Sequence, residues 1–296
     1  MLALALRIGS AASFAALLAV VKYVGQTGVA LPEIMFWRQA ACLPWLLGWM
    51  VISGRLHQLR TRRIGSHGRR AALGMFNMGC NFGATILLPL AEATTLGFTT
   101  PLFAVLIAVL VWREKVGPYR WLAVLLGFAG VLVIAQPGGH PVNGLGVTLA
   151  MITAVLVTLI NYQIRDLGRT EAPVTTVFYF SLFGSLLTAP ALPFVMSHHS
   201  PLQWVLLVLV GSLGALGQVL MTASLRFGVV TSVMVMDYTA LIWATLIGWQ
   251  VWGDVPSLAT FLGAPLIVGA GLIIAVREHR LQRRTAADPR GAQNAD

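Results

Sequence analysis

The sequence predicts an all-α, polytopic membrane protein of ten transmembrane helices arranged as two inverted five-helix repeats. Three observations carry that reading: composition, the spacing of the apolar runs, and the placement of the basic residues. Hydrophobic residues make up 57% of the 296 and charged residues only 10%, with a mean hydropathy of +0.79. A soluble domain carries roughly 25% charged residues, so this chain has too few to cover a water-facing surface.

A hydrocarbon core about 30 Å thick needs roughly 20 apolar residues of helix. By that measure spans are predicted over 2–25, 33–53, 70–89, 92–112, 118–136, 143–164, 173–196, 203–224, 229–252 and 257–276. The first carries Arg7 and Lys22. No small-residue cleavage site follows it and further spans do, so it is expected to be retained rather than removed as a signal peptide. The second opens at Pro32, and the third holds Asn77 and Asn81 among Gly74, Gly79 and Gly83. Thr94, Thr95, Thr99 and Thr100 surround Phe98 at the start of the fourth, which ends at Arg113-Glu114-Lys115. Pro118, Pro137-Gly138-Gly139, Pro173, Pro201 and Pro256 punctuate the remaining connections, where one helix must stop and another begin. Residues 279–296 are polar and aperiodic, and are expected to form a disordered tail.

The basic residues alternate with the spans. Of the 20, 17 fall in the connections after spans 2, 4, 6 and 8, in the first residues of the spans that follow them, or after span 10, and Arg7, Lys22 and Arg38 lie deeper within spans. Positive residues stay on the cytoplasmic side during insertion. Both termini are therefore expected in the cytoplasm of a bacterial cell, with the protein in its inner membrane. The same alternation explains a formal charge of +10 without nucleic acid, which would require basic residues grouped on one surface with stacking aromatics. Contact of the Arg60–Arg70 segment with anionic lipid is secondary to its topological role.

Thr94 to Ala135 has a weaker copy 140 residues later, from Met234 to Ala275. At that offset Trp112 meets Trp252, Glu114 meets Asp254, Phe98 meets Tyr238 and Gly74 meets Gly214. Ten spans divide into two halves of five, 1–140 and 141–278. Five is odd, so the second half enters the membrane from the opposite face. Inverted repeats recur in secondary transporters, with the substrate site near the midplane and alternating access by rocking of the halves.

The residues also resemble the drug/metabolite transporter superfamily in its ten-helix, EamA-type form. The resemblance rests on Pro32 followed by Phe36-Trp37-Arg38, on the threonine-rich start and Pro101 of span 4, and on Trp112-Arg113-Glu114 before the glycine-bearing span 5. It is weaker in the second half, where Asp254 replaces the usual Glu and Pro265 is expected to interrupt span 10. Within the superfamily the chain is most similar to bacterial exporters of aromatic and other neutral amino acids. The resemblance implies a carrier of small metabolites and an arginine in helix 2 at Arg38.

Other chemistries lack their residues. All six histidines are expected in connections or the tail, so an intramembrane metalloprotease or a serine–histidine dyad has no base. Cys42 and Cys80 sit inside apolar runs, which suits small buried residues rather than a metal or disulfide. Nor is there a Walker sequence for ATP. No cofactor or metal is expected; the expected partners are a small-molecule substrate and membrane lipids, with a monomer as the unit. An intramembrane enzyme is the rival of a different class, and a carrier of drugs or nucleobases the rival within transport.

Polar groups at membrane depth need an explanation. Asp237, the only acid placed well inside a predicted span, either faces the cavity to take a substrate amine or a proton, or pairs with a neighbour for folding. Lys22 and Arg38 either attract a substrate carboxylate as a pair, or serve structure, Lys22 snorkelling to the outer interface and Arg38 bonding backbone carbonyls or Glu33. Asn77 and Asn81 share a helix face. With Thr94, Phe98 and Thr99, and with Gln218, Tyr238 and Trp243 from the second half, they suit a zwitterion with an apolar side chain. Asn77, Asn81, Thr94, Phe98, Thr99, Gln218, Tyr238, Trp243 and Arg38 are therefore the candidate substrate-binding residues, and Asp237 the candidate for coupling or amine binding.

Overall fold

A computed structural model describes residues 2–111, 113, 116–135, 143–196, 198–227 and 236–287. Trp112 and Glu114, two of the residues matched across the repeats, lie outside them, as does the start of the second copy at Met234. We label the spans α1 to α10: α1 Leu2–Gln26, α2 in two pieces Leu31–Ala40 and Cys42–Ile52, α3 Ile64–Leu87, α4 in two pieces Leu90–Gly97 and Thr100–Leu110, and α5 Pro118–Ala135. The second half has α6 Gly144–Leu167, α7 Pro173–Thr188 continued by a 3-10 turn into Leu192–Val195, α8 Pro201–Phe227, α9 Thr239–Trp252 and α10 Leu258–Ala287. Seven helices are long and apolar enough to cross a membrane by themselves. The others, α2, α3 and α9, complete the predicted ten: α3 begins with a polar turn, and 14 residues of α9 are described.

Proline places both breaks. Pro44 has no N–H for the carbonyl of Ala40, and Pro101 none for that of Gly97, so α2 and α4 each stop and restart within the bundle. Pro265 acts otherwise than expected: α10 runs through it uninterrupted. A proline frees one carbonyl, which packed neighbours tolerate. Helix also continues to Ala287, past the predicted start of the tail, because Glu278 to Ala287 contains good helix formers and no Gly or Pro to stop them.

The packing closes on itself when the halves are exchanged. The broadest contacts are α1 with α8, α5 with α10, and α3 with α6. Exchange turns α1–α8 into α6–α3 and leaves α5–α10 as it is. It likewise relates α1–α9 to α4–α6, and α2–α8 to α3–α7, all of which are packed pairs. Phe98 and Tyr238, matched at the 140-residue offset, touch with ring centroids 4.8 Å apart. Repeat-related residues can meet only at the axis that relates them.

Ion pairs fix α9 beside α1, running parallel. Asp237, in a 3-10 turn before α9, takes Nε and Nη2 of Arg7 at 2.5 Å each. At the other end Gly253 adopts φ +69° and caps α9, and the next residue, Asp254, receives Lys22 at 3.2 Å. Lys22 is buried, donates also to the Leu88 carbonyl at 2.9 Å and lies 4.9 Å from the Trp252 ring. The expected snorkelling is therefore replaced by a pair between the halves: a charge enclosed among helices finds its partner there instead of in water.

Two further placements correct the sequence reading. Glu33 and Glu92 are buried inside helices, so Asp237 is not alone among acids at depth. Glu33 shares a hydrogen bond with His199, whose side chain is also buried. His67 lies within α3 rather than in a connection, stacked on Tyr179 at 4.8 Å, because α3 begins at Ile64 and not at residue 70.

Candidate substrate cavity

A cavity of about 290 Å³ opens between the halves. Phe14, Leu17 and Leu18 line it from α1, Arg38 from α2, Arg70, Gly74, Asn77, Met78, Asn81 and Phe82 from α3, Val157 and Ile160 from α6, and Phe180 from α7. The α3 contribution follows from helical spacing: Arg70, Gly74, Asn77 and Asn81 fall at i, i+4, i+7 and i+11, one stripe along one face.

Two guanidinium groups dominate its chemistry. Arg38 donates to Gln39 Oε1 at 2.6 Å, and Gln39 is itself fully buried with its Nε2 against Met75 sulfur. A neutral amide thus holds the arginine and leaves its charge intact. Arg70 lies over the Phe180 ring at 4.4 Å, and its Nε and Nη1 are buried without a hydrogen-bond partner. Arg38 acts on Arg70 electrostatically, like charge on like. No acidic residue lines the cavity among the described residues. Asn77 Oδ1 is buried and unpartnered too. The free donors of Arg70 beside a second guanidinium suit an anion, and Asn77 Oδ1 suits a donor next to it.

Glycine makes the room. A Cβ on Gly74 would stand 2.3 Å from Arg70 Nη1 and 2.6 Å from the Phe180 ring. On Gly214, its counterpart in the second half, it would lie 3.5 Å from the Arg38 guanidinium. The matched glycines therefore each flank one of the two arginines.

Of the residues singled out in the sequence, Arg38, Asn77 and Asn81 line this cavity and the others do not. Thr94 donates its hydroxyl to the Leu90 carbonyl at 2.8 Å and Thr99 to that of Leu96 at 2.7 Å, the back-bonding short hydroxyl side chains favour in helices. Phe98 and Tyr238 sit on the axis against one another. Trp243 and Gln218 are half-buried elsewhere, and Asp237 is held by Arg7. Arg70 escapes the sequence reading. Its signal is its spacing from Gly74 and the two asparagines, hidden because the residue also counts among the topological charges.

A model of the EamA-like transporter family matches the chain twice, over residues 1–136 and 144–276. The chain belongs to the EamA-like transporter family. This EamA-like protein is a multi-pass transporter of small metabolites, not an enzyme. It is 29% identical over 278 residues to a riboflavin transporter of Vibrio cholerae, covering 92% of both chains. It is 28% identical over 203 residues to a pseudopaline exporter of Pseudomonas aeruginosa, covering 68% of this chain and 71% of that one. An S-adenosylmethionine uptake transporter of Rickettsia bellii is 26% identical over 262 residues, with 88% of each covered. A solved crystal structure superposes with a TM-score of 0.59 at 22% identity, over 93% of this chain and 97% of the other, and shares the fold.

Proposed function

We propose that this EamA-like carrier exports small carboxylate-bearing metabolites, foremost neutral and aromatic amino acids, across the bacterial inner membrane by alternating access. The observation that carries the reading is the pair Arg38 and Arg70, converging on a cavity with no acid among its described lining to neutralise them. A carboxylate suits a guanidinium because its two oxygens match the planar fork of donors. Asn77 Oδ1 is placed to accept from an amine, and Phe14, Phe82 and Phe180 give an apolar wall for the side chain. The volume, about 290 Å³, lies at the lower end of small-molecule sites and favours an amino acid over a solute of flavin size. The named relatives carry quite different solutes, so kinship alone does not choose the substrate.

Neutralising both arginines is expected to abolish this transport. Each charge-assisted bond contributes about 1.5–3 kcal/mol, so Arg38→Gln and Arg70→Gln should each weaken phenylalanine binding by roughly tenfold to a hundredfold. Uptake of labelled phenylalanine into proteoliposomes, with phenethylamine as the competitor lacking a carboxylate, measures it. Undiminished flux in the double variant, or equal competition by phenethylamine, would remove the assignment. Sidedness is tested separately: a reporter on the C-terminus is expected to be active in the cytoplasm, following the basic connections.

A further inference from the structure

A second group of ionisable residues is buried at the end of the bundle opposite the arginine-rich connections. Glu92, in the first turn of α4, is 5% exposed, and its Oε2 has no hydrogen-bond partner. Its Oε1 accepts from the Thr260 hydroxyl at 3.2 Å, and Ser257 Oγ lies 3.0 Å from that hydroxyl. Lys22 of α1 and Asp254 of the α9–α10 turn both act on Glu92 electrostatically, while pairing with each other at 3.2 Å. The Asp254 side chain is 35% exposed and the Lys22 side chain 5%, so the cluster runs from a wet acid through a buried ammonium to a dry acid.

The charges do not balance. Two carboxylates stand around one ammonium, which is paired with Asp254 alone, and among the described residues the helices packed on α4 bring no further charge to this end. The charged residues of α3 lie toward its other end, at Arg69 and Arg70 beside His67, those of α5 at Arg120, those of α6 at Arg165 and Asp166, and those of α10 from Arg277 onward; the other titratable groups of these helices are Cys80, Tyr119 and Tyr162. On the α9 side only Asp254 is present here, Asp237 being at the opposite end. An uncompensated carboxylate away from water is costly. One positive charge is missing from the cluster.

We infer that Glu92 is a proton-binding site, loaded from the outer face past Asp254 and Lys22, and that its proton is the coupling ion of the carrier. A metal cation fits poorly, because the Lys22 ammonium already holds the cationic position and would repel it. A proton needs only the free Oε2. The step moves one proton from outer water to that oxygen and, after the access change, returns it to water on the other side; no other bond forms or breaks. With Glu92 neutral, Lys22 stays on Asp254 and holds α1 against the α9–α10 turn, as seen here. With Glu92 ionised, Lys22 has a second carboxylate to answer, and that closure loosens. The coupling role rests on the export reading of the cavity, whereas the protonation does not.

Two measurements separate them. Infrared difference spectra of the full-length protein in liposomes, recorded as pH is stepped, are expected to contain a carboxylic acid C=O band that Glu92→Gln removes and Glu92→Asp shifts. In proteoliposomes with labelled phenylalanine as the probe, Glu92→Gln is expected to keep exchange without a gradient and to lose accumulation driven by a pH gradient. A band unchanged in either variant overturns the proton site, and Glu92→Asp decides it should Glu92→Gln fail to fold. Gradient-driven accumulation surviving in Glu92→Gln, loss of exchange in the folded variant, or wild-type transport indifferent to the gradient overturns the coupling. If the wild type moves no phenylalanine, the export reading fails and the infrared band still decides Glu92.

Discussion

Gly130→Leu is expected to force α5 and α10 apart and to lower the stability of the folded protein markedly. A Cβ at this position would lie 2.8 Å from the Gly263 carbonyl oxygen, 2.9 Å from Ile267 Cγ1 and 3.0 Å from Leu266 Cβ. The approach is mutual, since a Cβ on Gly263 would lie 2.7 Å from the Gly130 carbonyl oxygen and 2.6 Å from Ile134 Cγ1. The obstacle on each side includes backbone, which cannot rotate away. In a bilayer no difference in hydrophobicity drives the helices together, and small residues that let backbones approach supply the packing. Overpacking a well-filled contact costs about 1–3 kcal/mol, occasionally more, and a leucine against backbone belongs at the upper end. In a folded fraction that corresponds to a melting temperature lower by roughly 6–12 °C. Gly269→Ala on α10 is the control: nothing stands within 4 Å of its added Cβ, and no comparable loss is expected. Size-exclusion recovery and thermal unfolding of the purified variants measure both. A Gly130→Leu protein as stable as the wild type would show that the crossing does not depend on glycine at this position.

That crossing illustrates which features a sequence exposes. Composition and length set the helical class, because a bilayer admits helices of about 20 residues and little else. The repeat is legible where its residues meet at the axis, in Phe98 and Tyr238. Pairings across the chain are not: Lys22 and Asp254 are 232 residues apart, and no periodicity links them. Glu33 and Glu92 stand at the first residues of predicted spans and resemble boundary markers, although helices beginning earlier carry both inward. The threonines of α4 suggest pocket polarity in sequence, yet each short hydroxyl finds the nearest carbonyl of its own helix first. Arg70 is hidden by a rule that works. Arginines near a span end do set orientation, but one that shares a stripe with Gly74, Asn77 and Asn81 also reaches the cavity.

Asp237→Asn is expected to cost more stability than Arg7→Gln, although the two side chains form one pair. The Arg7 side chain is 7% exposed and the Asp237 side chain 42%. Removing the acid leaves a buried guanidinium unpaired, a loss of about 3–5 kcal/mol for a buried pair, reduced here because the acid's side is only half-buried. The guanidinium already has Nη1 buried without a partner, so a neutral amide in place of the carboxylate leaves it with weaker acceptance still. Removing Arg7 instead leaves a half-buried carboxylate with less of its charge enclosed, which costs nearer the about 0–1 kcal/mol of an exposed pair. Replacing both, as Arg7→Met with Asp237→Leu, should recover most of the loss, since a buried ion pair and an apolar pair of similar volume are often equivalent. The same set distinguishes a latch between α1 and α9 from a substrate-binding acid. A latch alters unfolding and transport rate while KM for phenylalanine stays put in the doubly apolar variant, because neither residue lines the cavity. If Asp237→Asn instead raises KM and leaves the melting temperature unchanged, Asp237 reaches substrate in another conformation, and the pair with Arg7 is the resting place of a binding residue.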